Sequence, residues 1–376
     1  MNAPTATPDE IARRVFRQDI QSMHAYAIQE SQGMVKLDAM ENPYGLSPGL
    51  QAELGQRLGS LALNRYPGSR GNDLRAALAA HAGMPHGCDI MLGNGSDELI
   101  SLLALACDLP PDDNGRPASI LAPAPGFVMY AMSARLQGLA FHGVPLTADF
   151  ELDEAAMLAA ISEHRPAIVF LAYPNNPTAN LWDDAVIARI IDVQAQAGGL
   201  VVMDEAYQPF ASRSWITRIR AEPARHGHVL LMRTMSKFGL AGARIGYMLG
   251  PKALIAEVDK VRPPYNISVL NCECALFALA HTEVFAAQAA DICTQRMALS
   301  QALAALPGVT VFPSEANMIL IRVDGDATRV FAGVKANGVL VKNVSSMHPL
   351  LANCLRLTVG TAGENAQLLT ALKVSL

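Results

Sequence analysis

Five short apolar runs, at 118–122, 139–144, 167–172, 200–203 and 229–232, punctuate the middle of this chain, mostly separated by helical periodicity such as that of 183–197. This alternation constrains the fold more than any other feature. An apolar run of strand length is buried on both faces, and a sheet achieves that when helices cover both of its sides. Strands alternating with helices predict an α/β architecture on a mainly parallel sheet. Residues 74–81 read as a further helix and 89–92 as a strand, and Ser96-Asp97-Glu98 opens a helix running to about Leu105. Residues 245–250 read as one more strand.

The pattern changes at Arg262-Pro263-Pro264-Tyr265. One nearly proline-free helical stretch is expected from about 267 to 305. Strand-like segments follow at 309–312, 318–322, 339–341 and 355–359, with a helix at 325–337, which together make an α+β unit. The expected division is an N-terminal arm with part of the smaller domain at 1–40, a large domain at 41–265 and a smaller domain at 266–376. Pro8-Asp9-Glu10 reads as a helix start. Residues 36–72 read as loops, marked by Asn42-Pro43-Tyr44-Gly45, Ser47-Pro48 and Tyr66-Pro67-Gly68.

Bulk properties narrow the function. At 376 residues the chain suggests about two domains. A net charge of −5 offers no basic footprint, so no nucleic-acid partner is expected. No apolar run approaches a bilayer-spanning length, so no membrane association is expected. Six scattered cysteines and an N-terminus without a signal-peptide layout point to a cytoplasmic protein. The histidines show no metal-ligand spacing, so no metal is expected. Neither a Gly-x-Ser-x-Gly elbow nor a P-loop motif occurs.

Candidate chemistry collects at the ends of the apolar runs. Val201-Val202-Met203-Asp204 reads as a strand ending in a carboxylate, and ligands of open α/β sheets bind at that end. Asp204 alone could equally cap the following helix. Tyr207 lies three residues on, and Ser236-Lys237 leaves the next strand, with Arg244 beyond. A lone lysine is usually a solvated charge, but Thr234 and Ser236 flank this one with hydroxyls suited to phosphate. The turn Gly93-Asn94-Gly95-Ser96-Asp97-Glu98 sets backbone N–H groups at a helix start, where an anion is favoured. Glu98 occupies the third glycine position of a dinucleotide fingerprint, which removes that reading. Asn176 could donate to a ring oxygen or a carboxylate, although Asn-Pro also simply turns. Phe127 offers a flat face. Arg356 stands inside an apolar strand and must be paired or bind an anion.

Taken together, an acid, a phenol, a lysine and an arginine in this order meet the needs of pyridoxal 5'-phosphate. Lysine supplies the Schiff-base amine, aspartate keeps the ring nitrogen protonated, tyrosine bonds the ring oxygen, and arginine forks onto the phosphate.

These motifs resemble the fold-type-I pyridoxal-phosphate aminotransferases over nearly the whole chain, from Leu37-Asp-Ala-Met-Glu-Asn-Pro-Tyr-Gly45 to Cys354-Leu-Arg-Leu-Thr-Val-Gly-Thr361. Arg65-Tyr66-Pro67, Gly95-Ser-Asp-Glu98 and Ser236-Lys-Phe-Gly-Leu-Ala-Gly-Ala-Arg244 are similar to the branch that acts on L-histidinol phosphate. The resemblance implies a large domain with a seven-stranded sheet and a smaller α+β domain. It implies catalytic roles for Lys237, Asp204 and Tyr207, with Asn176 and Tyr207 on the ring oxygen and Phe127 stacked on the ring. Gly95, Ser96, Asp97, Thr234, Ser236 and Arg244 would surround the phosphate, with Tyr66 reaching in from the second subunit of a homodimer. Tyr26, Asn42, Asn176, Lys342 and Arg356 would contact the substrates, histidinol phosphate and 2-oxoglutarate or glutamate. An aromatic or broad-specificity aminotransferase and a phosphothreonine decarboxylase-like enzyme share these features. Three positions depart from the pattern. Ala179 stands where glycine usually follows Asn-Pro-Thr, Met40 where asparagine is frequent, and Lys342 where some relatives carry arginine, keeping the charge but not the fork.

Overall fold

The computed structural model describes residues 6–23, 29–111 and 115–376. By its contacts the chain divides into two compact units, Met1–Gly33 and Met34–Leu376. In the first, helix Pro8–Val15 starts with proline, and Thr7 and Glu10 cap each other's backbone N–H groups. Tyr26, a candidate substrate contact, lies outside the described residues.

The second unit is built on a seven-stranded sheet. Its strand order is Cys88–Gly93, Gly246–Pro251, Val229–Thr234, Leu200–Asp204, Ile168–Ala172, Ser119–Ala124 and Ala140–Pro145. Gly246–Pro251 runs antiparallel to both neighbours. The remaining pairings are parallel, as the alternating pattern required. Strands Ile168–Ala172 and Val229–Thr234 are buried at every position. Alternate residues feed separate cores on the two faces: Val201 and Met203 join one, Val202 the other. This period of two explains the continuous apolar runs.

A second sheet is antiparallel throughout, in the order Lys342–Asn343, Cys354–Thr358, Met318–Val323 and Val309–Val311. Its own core takes in Met318, Ile321, Leu355 and Leu357. A short parallel pair joins Val35–Lys36 to Val339–Leu340, tying the start of this unit to its last third. Residue 265 lies between the final strand of the first sheet and the first strand of the second. Helix Val269–Ala280, beyond that point, packs against Arg70–Ala82.

Two local expectations are corrected. The helix expected from 267 to 305 is two helices, Val269–Ala280 and Thr282–Ala304, bent by 77°. The break falls at His281, whose φ of −125° and ψ of 39° leave the helical region. The first segment serves the helical layer over the large sheet, whereas Ile292, Leu299 and Leu303 of the second serve the core of the smaller one. One straight rod could not reach both. Within 36–72, a helix Pro48–Gly59 interrupts the loops, with Ser47 accepting from the Leu50 N–H. Ser-Pro was itself the signal, an N-cap followed by proline in the first turn.

Gly246 packs its backbone against the Gly95–Ser96 turn. A Cβ there would stand 2.5 Å from the Gly95 carbonyl carbon and 2.7 Å from the Ser96 nitrogen. These are main-chain atoms that cannot swing aside. Gly246→Ala is expected to cost about 1–3 kcal/mol of stability, read as a lower urea midpoint. An unchanged midpoint would show that the turn yields freely.

Candidate active site

Parallel pairing brings three strand ends together. Asp204 sits in register with Ala172 on one side and Met232 on the other. Asn175 and Asn176 follow the first strand, Tyr207 the second, and Ser236 and Lys237 the third. Segments far apart in sequence therefore deliver their polar side chains to one crevice at the carboxyl ends, as expected for an open α/β sheet.

Asp204 is only 4% exposed. The Tyr130 hydroxyl donates to Oδ2 at 2.7 Å and the Ala206 N–H to Oδ1 at 3.1 Å. Neither partner is a cation. Burial pushes the Asp204 carboxyl up to about 6, while those two hydrogen bonds pull it down and the nearby acids Asp97 and Glu205 push it further up.

A continuous chain of bonds links the other candidates. Arg356 Nη1 donates to Asn176 Oδ1 at 2.7 Å, and Asn176 Nδ2 donates to the Tyr207 hydroxyl at 3.0 Å. Arg356 Nη2 also donates to the Asp38 carbonyl at 2.8 Å. Burial raises the Tyr207 phenol well above its ordinary value, opposed by Arg356, so this hydroxyl stays protonated. Lys237 Nζ lies 5.9 Å from the centre of the Tyr207 ring and donates to the Ala39 carbonyl at 3.0 Å. Burial, helped by Arg356 and Arg244 and opposed by Glu41 and Asp97, lowers the Lys237 amine to about 8. A neutral amine is thus within reach near physiological pH, which general-base chemistry requires.

Beside this cluster is a cradle for an anion. Gly95 has φ +86°, and a Cβ on it would fall 2.5 Å from Arg244 Nη2, so only glycine lets the guanidinium lie over the turn. Arg244 Nη2 also faces Asp97 Oδ2 at 3.7 Å. Thr234 pairs in register with Gly246, the residue packed on the Gly95–Ser96 turn. Its Oγ1 lies 2.9 Å from the Ser236 hydroxyl and accepts the Ser236 N–H at 3.1 Å. Backbone N–H groups opening helix Ser96–Ala106, two hydroxyls and an arginine suit a phosphate. With the buried carboxylate of Asp204 and the partly desolvated amine of Lys237, these residues fit pyridoxal phosphate. No group of three or more His, Cys, Asp or Glu among the described residues is placed to hold a metal ion.

The remaining candidates occupy varied places. Phe127 stands edge-on to Tyr130, with centroids 5.6 Å apart. Asn42 bonds Gln288 and the Tyr44 N–H, and its Nδ2 approaches the backbone of Gly239 in the lysine loop. Lys342 is the direct antiparallel partner of Arg356, so the two cations share a sheet face. Tyr66 stands apart, 75% exposed and stacked on Tyr265 at 4.4 Å.

Three participants escaped sequence reasoning. Tyr130 holds Asp204 from 74 residues away; a buried tyrosine must bond something, yet nothing local names the partner. Glu205 is buried and ion-paired to Arg233 at 2.9 Å, with Ser214 and the Trp215 N–H completing its bonds. The third is main chain, the carbonyls of Asp38 and Ala39.

Residues 32–372 match the family described as aminotransferase class I and II. The histidinol-phosphate aminotransferase of Polaromonas naphthalenivorans (strain CJ2) is 72% identical over 376 residues, covering the whole of both chains. The crystal structure of histidinol-phosphate aminotransferase from Sinorhizobium meliloti in complex with pyridoxal-5'-phosphate is similar at a TM-score of 0.78 and 25% identity, over 96% of this chain and 97% of that one. The Clostridium acetobutylicum histidinol-phosphate aminotransferase structure, 19% identical, shares the fold at a TM-score of 0.80, over 91% and 98% of the two chains.

Tyr130→Phe removes a bond that holds the Asp204 pKa down. A carboxyl whose folded pKa is raised adds stability at low pH that is lost as pH climbs through the folded value. In the cofactor-free protein this loss spans about pH 4 to 6. In the variant it is expected to continue to higher pH, so the stability gap from wild type widens between pH 5 and 8 in urea titrations. A pH-independent gap would mean the hydroxyl does not tune Asp204.

Proposed function

The chain belongs to the class I and II aminotransferase family, and from its 72% identity to a histidinol-phosphate aminotransferase we propose transamination of L-histidinol phosphate with 2-oxoglutarate, giving imidazole acetol phosphate and glutamate, as a step of histidine biosynthesis. The chain is a pyridoxal-phosphate-dependent aminotransferase. When bound, the cofactor supplies an aldehyde that condenses with amines and a ring that accepts the electron pair left at the substrate carbon.

The protein's own residues divide the remaining work. Asp204 would face the ring nitrogen and keep a proton on it, a role that burial and the Tyr130 bond both serve. Asn176 and Tyr207 would donate to the ring oxygen, and Phe127 would pack on the ring. Gly95, Ser96, Asp97, Thr234, Ser236 and Arg244 would hold the phosphate. Lys237 would anchor the cofactor and, once its amine is displaced, carry the proton between the substrate carbon and the cofactor carbon. Arg356 would grip the carboxylate of 2-oxoglutarate or the phosphate of the donor, with Lys342 on the same sheet face adding charge and Asn42 contributing to the substrate pocket. A homodimer completes this reading, with Tyr66 contributed across the interface, where its exposure suits a contact. The free state of all six cysteines supports a reducing, cytoplasmic setting.

One observation carries the reading: Lys237 and Tyr207 meet in space, and a hydrogen-bonded chain runs from Tyr207 through Asn176 to Arg356. In this reading the amine that would move the proton and the guanidinium that would bind the anion are linked through Tyr207 and Asn176.

Histidinol phosphate, tyrosine and phosphothreonine, each mixed alone with the cofactor-loaded protein, separate this function from its rivals. Histidinol phosphate is expected to convert the cofactor to its amine form fastest, without release of carbon dioxide. Faster conversion by tyrosine would assign an aromatic aminotransferase, and carbon dioxide from phosphothreonine a decarboxylase. Lys237→Ala is expected to lower turnover by at least about 10³-fold while leaving the cofactor bound non-covalently. Near-normal turnover would overturn the assignment of Lys237.

A further inference from the structure

Three consecutive main-chain carbonyls accept hydrogen bonds from three separate segments of the chain. Arg356 Nη2 donates to Asp38 O at 2.8 Å, Lys237 Nζ to Ala39 O at 3.0 Å, and Asn317 Nδ2 to Met40 O at 3.0 Å. The Met40 N–H donates in turn to Thr358 Oγ1 at 3.0 Å. Both backbone groups of Met40 are therefore held by the smaller sheet. Thr358 lies two residues beyond Arg356 on one strand and shares its face, and Asn317 precedes the paired strand Met318–Val323. Both side chains are buried.

Met40 has φ +52°, the left-handed region that a long side chain enters only at a cost. It does so while buried in the same core as Tyr207 and Ala179. The contacts from Asn317 and Thr358 act against that intrinsic preference: Thr358 fixes the peptide plane before Met40, whose Ala39 carbonyl holds Lys237, Asn317 fixes the plane after it, and the Asp38 carbonyl that holds Arg356 belongs to the next plane upstream.

We propose that Asp38–Met40 is a main-chain rack setting the Lys237 amine and the Arg356 guanidinium at a fixed separation, and that Asn317 and Thr358 are positioning residues acting on both through Met40. The proposal rests on the reading of Lys237 as the proton-carrying amine. A carbonyl accepting from an ammonium favours the charged form. Around Nζ, Glu41 and Asp97 act in the same direction, Arg356 and Arg244 act against it, and the face of the Tyr207 ring lies near. Loosening the rack moves Ala39 O away, so the amine gives up its proton at lower pH. Arg356 simultaneously loses its main-chain anchor, and an anionic substrate binds less tightly.

The test adds pyridoxal 5'-phosphate to the cofactor-free, full-length protein across a pH series. The rate of covalent attachment is followed by the visible band and fixed with borohydride, which reports the titration of the free amine. Thr358→Val, which removes the hydroxyl that accepts from Met40, is expected to shift that titration down by about one unit. It is also expected to raise KM for 2-oxoglutarate about threefold or more with a smaller change in kcat. Thr358→Ser keeps the hydroxyl and is expected to retain the wild-type midpoint. If Thr358→Val does not fold, Asn317→Ala carries the same expected shift. A folded variant that titrates as wild type overturns the rack. A wild-type protein showing no titratable attachment overturns the underlying reading of Lys237, and the rack with it.

Discussion

The parallel pairing of Leu200–Asp204 between Ile168–Ala172 and Val229–Thr234 is the constraint on which the rest depends. Parallel strands end together. Their carboxyl ends gather Asn176, Asp204, Tyr207 and Lys237 into one crevice, although the chain must pass through a helix between one strand and the next. Helices on both faces keep the strand interiors dry, which makes the polar residues at their ends electrostatically costly and chemically effective. The buried Glu205–Arg233 pair, adjacent in the chain to Asp204 and Thr234, anchors two of these strand ends to each other.

Burial drives both key titrating groups toward neutrality, but in opposite directions on the pH scale. Asp204 rises to about 6 and Lys237 falls to about 8. For Lys237 this is useful, because a neutral amine can take a proton. For Asp204, a protonated ring nitrogen alongside would stabilise the charged carboxylate that burial penalises. In the proposed reading, one desolvated environment would prepare an amine to act as a base and a carboxylate to hold a cationic ring.

Much of this arrangement was legible in the sequence, for definite reasons. Asp204 and Lys237 stand at the ends of apolar runs, and such runs are strands whose ends are visible. Gly95 marks a turn where a guanidinium crosses the backbone, and a glycine-bearing strand-to-helix turn reads as anion-binding. The departures at Met40 and Ala179 fall at special backbone positions. Both have positive φ, +52° and +66°, a region that asparagine and glycine enter more easily than methionine or alanine. What remained illegible was non-local or carried by main chain. Tyr130 finds Asp204 only through the fold, the Asp38 and Ala39 carbonyls leave no trace in side-chain identity, and the bend at His281 follows from two cores competing for one helical stretch. Tyr66 and Lys342 could be singled out by type and context, but nothing in the sequence shows how they relate to the residues around Lys237.

Of the seven lysines in the chain, Lys237 alone is proposed as the chemical anchor. Borohydride reduction of the cofactor-loaded protein, followed by proteolysis and mass-spectrometric mapping, tests this most directly. The pyridoxyl group is expected on Lys237 alone. Its presence on any other lysine with Lys237 unmodified would contradict the account.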